Sequence, residues 1–256
     1  MSALRLTPED ELRFRFSAIA HGEMAIMNPL SGTVLNEAIS ELELTPGSRV
    51  LDLGCGKAEA LRRIVERYDV HGVGVELSPF AIAQARASSM ELRKGTLALI
   101  EGNALEYQAD SSFDAVLAIG PGWEHDSFAL LIRQTYPHAQ PGGLLLLADA
   151  FWRTEPTEEY MRLLGVNRDE MGSHAQNVQV AIGLGLVPLW AATATQRDWD
   201  RYEWRYLANV ERWAAEHPAD PQRAAFLERA RAGRDRYLAG GRDQLGFGIY
   251  LFRVPR

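Results

Sequence analysis

The chain has 256 residues, of which 46% are hydrophobic and 24% are charged, a composition that supports a sizeable globular core. Its single cysteine, Cys55, excludes an internal disulfide, and its net charge of -7 disfavours a protein built to hold a nucleic-acid backbone. The longest apolar run, at 144–152, is interrupted by Asp149 and is too short for a membrane helix. The first residues lack the apolar core of a signal peptide. We therefore expect a cytoplasmic protein that contacts neither nucleic acid nor membrane.

The first part of the chain alternates between helical and strand-like segments. Residues 8–42 are expected to be helical, with a break at 28–32. Five later runs are apolar through their centres, the pattern of strands buried on both faces of a parallel sheet. These runs are 49–54, 70–76, 97–101, 113–120 and 144–149. Helical segments at 59–68, 79–93 and 128–138 separate them, and 140–143 predicts a turn before the fifth strand. This alternation indicates a doubly wound α/β fold with right-handed crossovers.

The second part of the chain adds helices and two more strands. Residues 154–185 are expected to be mostly helical, and 186–193 predicts a sixth strand. Aromatic side chains at helical spacing mark a helix at 198–216, which ends at His217-Pro218. Asp220-Pro221 predicts the start of another helix, and 247–254 predicts the last strand.

A short glycine motif lies where the first strand should meet the first following helix. Asp52 is followed by Gly54 and Gly56, and glycine lets the backbone turn sharply and approach a ligand. Glu76 ends the second strand, at the sheet edge where ligands bind in doubly wound folds, and is placed to accept hydrogen bonds from ribose hydroxyls. A dinucleotide fingerprint would need a third glycine, but Glu59 stands at that position and weakens this interpretation.

The same run resembles the first motif of class I S-adenosylmethionine-dependent methyltransferases, an acidic residue followed by x-Gly-x-Gly-x-Gly. Ala58 stands at the family's last glycine, and Lys57 is unusual there. Further matches are Gly74-Val75-Glu76-Leu77-Ser78, Glu101-Gly102-Asn103-Ala104, Phe113-Asp114-Ala115-Val116 and Pro141-Gly142-Gly143-Leu144. The resemblance implies a Rossmann-like sheet of about seven strands with the last one antiparallel, and S-adenosylmethionine as cofactor. It implies cofactor binding by Asp52, Gly54, Cys55, Gly56, Glu76, Leu77, Asn103, Ala104 and Gly120.

The flanking segments narrow the resemblance to a group of uncharacterised bacterial methyltransferases with small-molecule acceptors. The segments that carry it are Asn28-Pro29, Trp123, Phe151-Trp152-Arg153, Trp199-Asp200-Arg201-Tyr202-Glu203 and Phe247-Gly248. We expect one methyltransferase domain over 1–256. It would comprise an N-terminal helical lid (1–42), a cofactor-binding core (43–195), a helical insertion (196–244) and a final strand (245–256).

The acceptor is expected to be a small molecule, methylated at oxygen or nitrogen. Gly120-Pro121-Gly122 lacks the polar side chain with which amino-methylating enzymes of DNA hold their acceptor, and no Pro-Cys nucleophile is present. His125 is the best-placed general base, with a solvated loop histidine as the alternative. His21, Trp123 and Trp152 are candidate substrate contacts, with surface or wall packing as the alternative.

Other functions remain open at this point. The histidines and Cys55 show no compact metal-ligand spacing, so no metal is expected. One alternative is another transferase on the same fold, such as an aminopropyl transferase. Another is a non-catalytic module that binds S-adenosylmethionine, because an intact cofactor motif does not by itself establish turnover.

Overall fold

Seven strands form a single mixed sheet in the computed structural model, which describes residues 6–90, 92–121 and 127–256. The strands are β1 (Arg49–Leu53), β2 (His71–Glu76), β3 (Thr96–Glu101), β4 (Phe113–Ile119), β5 (Ala139–Trp152), β6 (Val187–Thr193) and β7 (Leu245–Arg253). Their order across the sheet is β3-β2-β1-β4-β5-β7-β6. Strands β1 to β5 pair in parallel, whereas β7 lies antiparallel between β5 and β6. The predicted α/β fold with an antiparallel last strand is confirmed.

The strand order places a ligand-binding crevice at one edge of the sheet. From β1 the chain proceeds outward to β2 and β3, and it then returns to β4 on the other side of β1. Loops that leave β1 and β4 therefore diverge at the carboxyl ends of these two neighbouring strands. Doubly wound sheets bind ligands at such a switch point.

Ten α-helices are described around and beyond the sheet. They are α1 (Pro8–His21), α2 (Gly32–Ser40), α3 (Glu59–Tyr68), α4 (Pro79–Ser89), α5 (Phe128–Thr135), α6 (Glu158–Leu164), α7 (His174–Gly183), α8 (Gln196–Glu216), α9 (Arg223–Arg236) and α10 (Arg242–Gln244). Local chemistry fixes several of their starts. The Ser78 hydroxyl accepts from the N–H of Ala81, and Pro79 occupies the first turn of α4, where its missing N–H costs no helical hydrogen bond. None of the helices in the described ranges combines the length and apolarity needed to cross a membrane.

Both faces of the sheet are covered by apolar helix faces. On one face Leu35 and Ile39 of α2 and Leu61 and Ile64 of α3 pack on the sheet. On the other face the side chains of α5 and α7 pack on the sheet, and the cluster includes Phe113, Leu131, Leu145, Tyr250 and Phe252. Burial on both faces explains why the central strands are apolar throughout.

A third hydrophobic cluster lies outside the sheet and joins distant parts of the chain. Phe16 and Ala20 of α1 pack against Leu207 and Val210 of α8 and against Phe226 of α9. These helices precede β1 and connect β6 to β7, so they meet at the carboxyl edge of the parallel strands. The N-terminal segment and the segment between β6 and β7 are therefore packed together.

Several predicted element boundaries are wrong. The break expected at 28–32 is longer, since α1 ends at His21 and α2 begins at Gly32, and α4 ends at Ser89 before the expected residue 93. The turn expected at 140–143 is instead part of β5, which begins at Ala139; Gly142, with φ +80°, accompanies a register shift against β4. A positive φ lets glycine absorb such an irregularity inside a strand. Helix α9 begins at Arg223 rather than at Pro221, because Asp220 accepts a hydrogen bond from the N–H of Gln222 and forms a turn before the helix.

Candidate active site

The glycine turn after β1 has the backbone conformation that its glycines make possible. Gly54 and Gly56 have φ of +74° and +56°, a region that side chains disfavour. A Cβ on Gly54 would also lie 2.8 Å from Cβ of Pro121. The N–H groups of Gly54 and Cys55 both donate to the carbonyl oxygen of Val75, at 2.9 and 3.1 Å, and so fix the turn against β2.

Glu76 connects the end of β2 to this turn. Its Oε2 accepts a hydrogen bond of 2.8 Å from the N–H of Gly56, and its Oε1 accepts one of 2.7 Å from the N–H of Ser78. Each carboxylate oxygen has further lone-pair capacity, so these bonds leave room for ligand hydroxyls. Burial raises the pKa of Glu76 above its usual range, although the backbone donors oppose the shift.

Asp52 is a buried carboxylate with an unsatisfied oxygen. It is 2% exposed, and its Oδ1 has no hydrogen-bond partner among the described residues. Burial, and secondarily the charge of Glu76, raises the pKa of Asp52 to about 8. With this pKa the group is mostly protonated near pH 7, and a cationic ligand group that reaches it would favour the ionised carboxylate.

A cavity of about 220 Å³ lies over these groups. Helix α1 and residues 25–28 form one wall, and the glycine turn and the end of β4 form the other. Of the residues predicted to be functional, those that line it are Asp52, Gly54, Cys55, Gly56, Glu76, Gly120 and His21. The glycine turn and the ends of β2 and β4 thus converge on one cleft.

His21 lies in the cavity wall as a buried, hydrogen-bonded side chain. Its Nδ1 lies 2.8 Å from the carbonyl oxygen of Ser17, which fixes a proton on that nitrogen, and its Nε2 lies 3.1 Å from the hydroxyl of Tyr202. Burial lowers the pKa of His21 to about 4. The imidazole is therefore neutral near pH 7 and is a weak base.

Lys57, which has no counterpart in the motif's usual pattern, connects the turn to the N-terminal segment. Its Nζ donates hydrogen bonds to the carbonyl oxygens of Gly22 and Met24, the latter at 2.9 Å. Helix α1 ends just before these carbonyls, so the lysine ties the cavity's helical wall to the glycine turn. Sequence reasoning missed this role because it depends on a contact between distant parts of the chain.

Asn28 is a second functional candidate, to which the sequence motifs assigned no chemical role. Its Oδ1 accepts from the N–H of Leu30, and its Nδ2 donates to the carbonyl oxygen of Ile119, at 3.0 and 3.3 Å. Asn28 is therefore held against the carboxyl end of β4, and it lines the cavity. The sequence signals were its position before Pro29 at the predicted helix break and the resemblance carried by Asn28-Pro29.

Several predicted residues lie away from the cavity. Leu77, Asn103 and Ala104 are described but do not line it. The Asn103 side chain is used within its own turn, since Oδ1 accepts from Leu105 N–H and Nδ2 donates to Glu106, each at 3.0 Å. Cofactor contacts by these residues remain predictions.

The structure corrects the expectation for Trp152. Its side chain is 2% exposed, packs edge-on against Tyr160 and donates from Nε1 to the carbonyl oxygen of Arg168 at 3.3 Å. The last residue of β5 is thus part of the protein interior rather than of the cavity wall. A substrate contact by Trp152 is not compatible with this placement.

The remaining catalytic and substrate predictions fall on Trp123 and His125, which lie outside the described residues. His174, the first residue of α7, stacks on Tyr250 and does not line the cavity. Within the part of the chain that the structure describes, no group of three histidine, cysteine or acidic side chains could hold a metal ion.

The fold and the cavity define a doubly wound protein with a cofactor site at its switch point, and comparisons with known proteins identify its class. A family model described as a methyltransferase domain matches residues 50–143. The chain is 28% identical to the protein YjhP of Escherichia coli over 239 residues, covering 92% of this chain and 96% of that one. The crystal structure of YjhP superposes with a TM-score of 0.87 at 27% identity, over 94% of this chain and 100% of that chain.

Two other relatives extend the likeness. A methyltransferase structure from Thiobacillus denitrificans in complex with S-adenosylhomocysteine matches with a TM-score of 0.84 at 27% identity, over 94% of this chain and 98% of that chain. Phosphoethanolamine N-methyltransferase 1 of Arabidopsis thaliana is 24% identical over 181 residues, 67% of this chain but only 37% of that protein. The chain is a class I S-adenosylmethionine-dependent methyltransferase.

Proposed function

We propose that this methyltransferase acts on a small-molecule acceptor, at oxygen or nitrogen, within the cavity under α1. The observation that carries the proposal is a cleft with two walls: α1 and residues 25–28 face the glycine turn across about 220 Å³. A site walled on both sides in this way suits a small acceptor better than a polymer. The relative that methylates phosphoethanolamine at nitrogen supports an acceptor of this kind.

The cavity residues fit S-adenosylmethionine. Oδ1 of Asp52 is a buried carboxylate oxygen without a partner, suited to the cofactor's positive charge. A Cβ on Gly56 would lie 3.1 Å from Sδ of Met27 and would fill the space left for the ligand. By family resemblance, Gly54, Cys55 and Gly56 would offer backbone to the cofactor and Glu76 would accept from the ribose hydroxyls.

Other loops would contact the adenine and the methyl-bearing end of S-adenosylmethionine. By resemblance, Leu77, Asn103 and Ala104 would surround the adenine, and Gly120 would lie beside the methyl-bearing end. In this arrangement residues 1–42 serve as the lid, 43–195 as the cofactor core, and 196–244 as an insertion that supports the lid before the final strand (245–256).

The protein's contribution to the reaction is alignment and exclusion of water. When bound, S-adenosylmethionine would supply a methyl group activated on a sulfonium sulfur, and the leaving group would be the neutral thioether of S-adenosylhomocysteine. The glycine turn and Glu76 fix one reactant, while α1, held by Lys57, covers the site and excludes water. Asn28 holds the loop at the end of β4, where the acceptor's reacting atom would lie.

A general base is required only if the acceptor carries a proton on its reacting atom. His21 is unsuited, because its pKa of about 4 makes it a weak base. We retain His125 as the base: His125→Ala should lower turnover by about 10²–10⁴ and remove a limb of the pH profile near neutrality. His71→Ala is the control, because His71 is exposed and begins β2 at the opposite end from Glu76. A small loss with an unchanged pH profile would leave alignment as the whole mechanism.

Turnover is tested with ¹³C-methyl-labelled cofactor and a cell extract divided by size. We expect S-adenosylhomocysteine and labelled small molecules from the low-molecular-weight fraction, with ¹³C shifts of O- or N-methyl groups. Gly56→Val is the matched inactive variant, since it fills the turn. Label only in macromolecules, or a C-methyl shift, would refute the acceptor class. Methylthioadenosine as product would indicate aminopropyl transfer, and S-adenosylhomocysteine binding without turnover would indicate a non-catalytic module.

A further inference from the structure

A second cavity, of about 400 Å³, adjoins the cofactor cavity. It lies between residues 23–30 and the exposed face of α8, and its size is within the range of small-molecule sites. Its positively charged lining residues are Arg63, Arg201, Arg205 and Arg212, and its negatively charged ones are Glu23 and Asp198. Four arginines around one cavity contrast with the chain's net charge of -7.

Three of these arginines form a row on α8. Arg201, Arg205 and Arg212 are separated by one and by two further helical turns, so they project from one face. Within the described residues, Arg205 has no hydrogen bond or ion pair. The nearest carboxylate to Arg201 is that of Asp198, whose Oδ1 lies 3.8 Å from Nη2 and whose Oδ2 accepts a hydrogen bond from the Thr195 hydroxyl at the start of the helix. Arg212 donates only to the amide oxygen of Asn209.

Arg63 differs from this row because its charge is already matched. It pairs with Glu59 at 2.7 Å and donates to the amide oxygen of Asn36. The available positive charge therefore lies on α8, and a ligand anion would meet guanidinium groups that lack a carboxylate in direct hydrogen-bonded contact.

The two cavities share part of their lining. Ala25, Ile26 and Asn28 line both of them, and Tyr202, whose hydroxyl lies 3.1 Å from Nε2 of the cofactor-cavity residue His21, lines the second. Because Asn28 is bonded to the last residue of β4, a ligand held on α8 can extend along this wall toward the carboxyl edge of the sheet.

We propose that the arginine row of α8 binds an anionic group, a carboxylate or a phosphate, of the methyl acceptor. The inference rests on the proposed function, since it assigns the acceptor class to the same site. The acceptor's anion lies against Arg201 and Arg205, and its oxygen or nitrogen nucleophile passes Asn28 to reach the end of β4. Arginine suits both anions, because its planar fork matches their paired oxygens.

Binding of the anion is tested without the acceptor, by titrating the protein with inorganic phosphate and, separately, with acetate. We expect millimolar, salt-sensitive binding of at least one anion, weakened at least tenfold in the double variant Arg201→Gln/Arg205→Gln. Arg197→Gln, an exposed arginine of α8 outside the cavity, should bind as the wild type does. Preference for phosphate or for acetate distinguishes a phosphorylated acceptor from a carboxylic one.

Two results would overturn the proposal. One is that neither anion binds the wild type at millimolar concentration, and the other is that the double variant binds as well as the wild type. Affinity for S-adenosylhomocysteine, measured in the same variants, should stay unchanged, which keeps loss of the anion site distinct from loss of the cofactor site.

Turnover gives a second test. Small molecules from an extract are separated on an anion exchanger at neutral pH, and labelled methyl transfer is measured with each fraction. Transfer to the retained fraction, reduced in the double variant, supports the proposal, whereas transfer to the unretained fraction alone refutes it. Absence of transfer to both fractions would be a failure of the proposed function, and the anion titration would still decide whether the site exists.

Discussion

Glu76 combines two tasks, because the carboxylate that holds the glycine turn is also the proposed ribose ligand. Glu76→Ala should lower affinity for S-adenosylhomocysteine at least tenfold, since hydrogen bonds to a charged acceptor contribute about 1.5–3 kcal/mol each. Calorimetric titration measures the loss, and circular dichroism verifies the fold. Glu101→Ala is a matched control, because Glu101 pairs in register with Glu76 at the end of β3 but is exposed and bonded to Arg86. Equal affinities in wild type and Glu76→Ala would remove Glu76 from the site.

Asp52 should make the protein's stability depend on pH. Its pKa is about 8 in the folded chain against an ordinary value of 3.8, so between these values the folded state binds more protons than the unfolded state. Asp52 therefore makes the free energy of unfolding fall as pH rises from about 4 through 8. His21, with a pKa of about 4 against an ordinary 6.5, contributes the opposite slope below about pH 6.5, so the net fall should be clearest between pH 6.5 and 8. Each pKa unit corresponds to about 1.4 kcal/mol, so even a partial effect is measurable by urea unfolding.

Asp52→Asn separates stability from function at this position. The amide cannot ionise, so the variant should lose the decline in stability and exceed the wild type above pH 8, yet bind the cationic cofactor at least tenfold more weakly. Asp110→Asn, at an exposed position before β4, should change neither quantity. A wild-type stability that is flat between about pH 6.5 and pH 8 would show that Asp52 is ionised in the free protein.

Helix α1 and the glycine turn are coupled through one side chain, that of Lys57. Lys57 is half-buried and is bonded to two carbonyl oxygens just after α1. Lys57→Met keeps an unbranched side chain one atom shorter and removes its donors, so amide hydrogens of residues 22–27 should exchange faster and cofactor affinity should fall. Lys94→Met, at an exposed lysine before β3, provides the control. Unchanged exchange at 22–27 would show that apolar packing alone holds the segment.

Element positions were largely predictable from the sequence, because each depends on local chemistry. Helix α3 spans the predicted 59–68, and the strand cores were recognisable by apolar runs that reflect burial on both faces. Glu76 and the glycine turn could be placed for the same reason, since strand ends bring them to one edge. Each of these signals is contained in a segment of a few residues.

Side-chain directions and long-range contacts could not be predicted in this way. Trp152 was expected beyond the strand that the sequence predicts at 144–149, but β5 extends to it, and its indole packs in the interior against Tyr160 of α6. The partners of Lys57 and the row of arginines facing residues 23–30 depend on how α1 and α8 pack across the sheet edge. Periodicity identifies a helix face, but not the element that covers it.

The hydrophobic cluster shared by α1, α8 and α9 is separate from the two hydrophobic clusters that pack on the sheet. Phe16 lies in this cluster, 2% exposed, with its ring edge-on to Tyr206 and Phe226 at 5.8 and 5.3 Å between centroids. Truncation of such a ring costs about 3–5 kcal/mol. Because the ring contacts no strand within this cluster, loss of the ring should first destabilise the helical cover, which α1, α8 and α9 form, rather than the sheet.

Phe16→Ala should therefore accelerate amide exchange in α1, α8 and α9 while β1, β4 and β5 keep their protection. Since α1 lines the cofactor cavity, affinity for S-adenosylhomocysteine should fall as well. Phe80→Ala, which truncates a 40% exposed ring on α4, should leave the exchange of all six elements near its wild-type rates. Uniform acceleration in helices and strands would instead mean that the cover and the sheet open as one cooperative unit. An unchanged cofactor affinity would mean that the cover does not close the site.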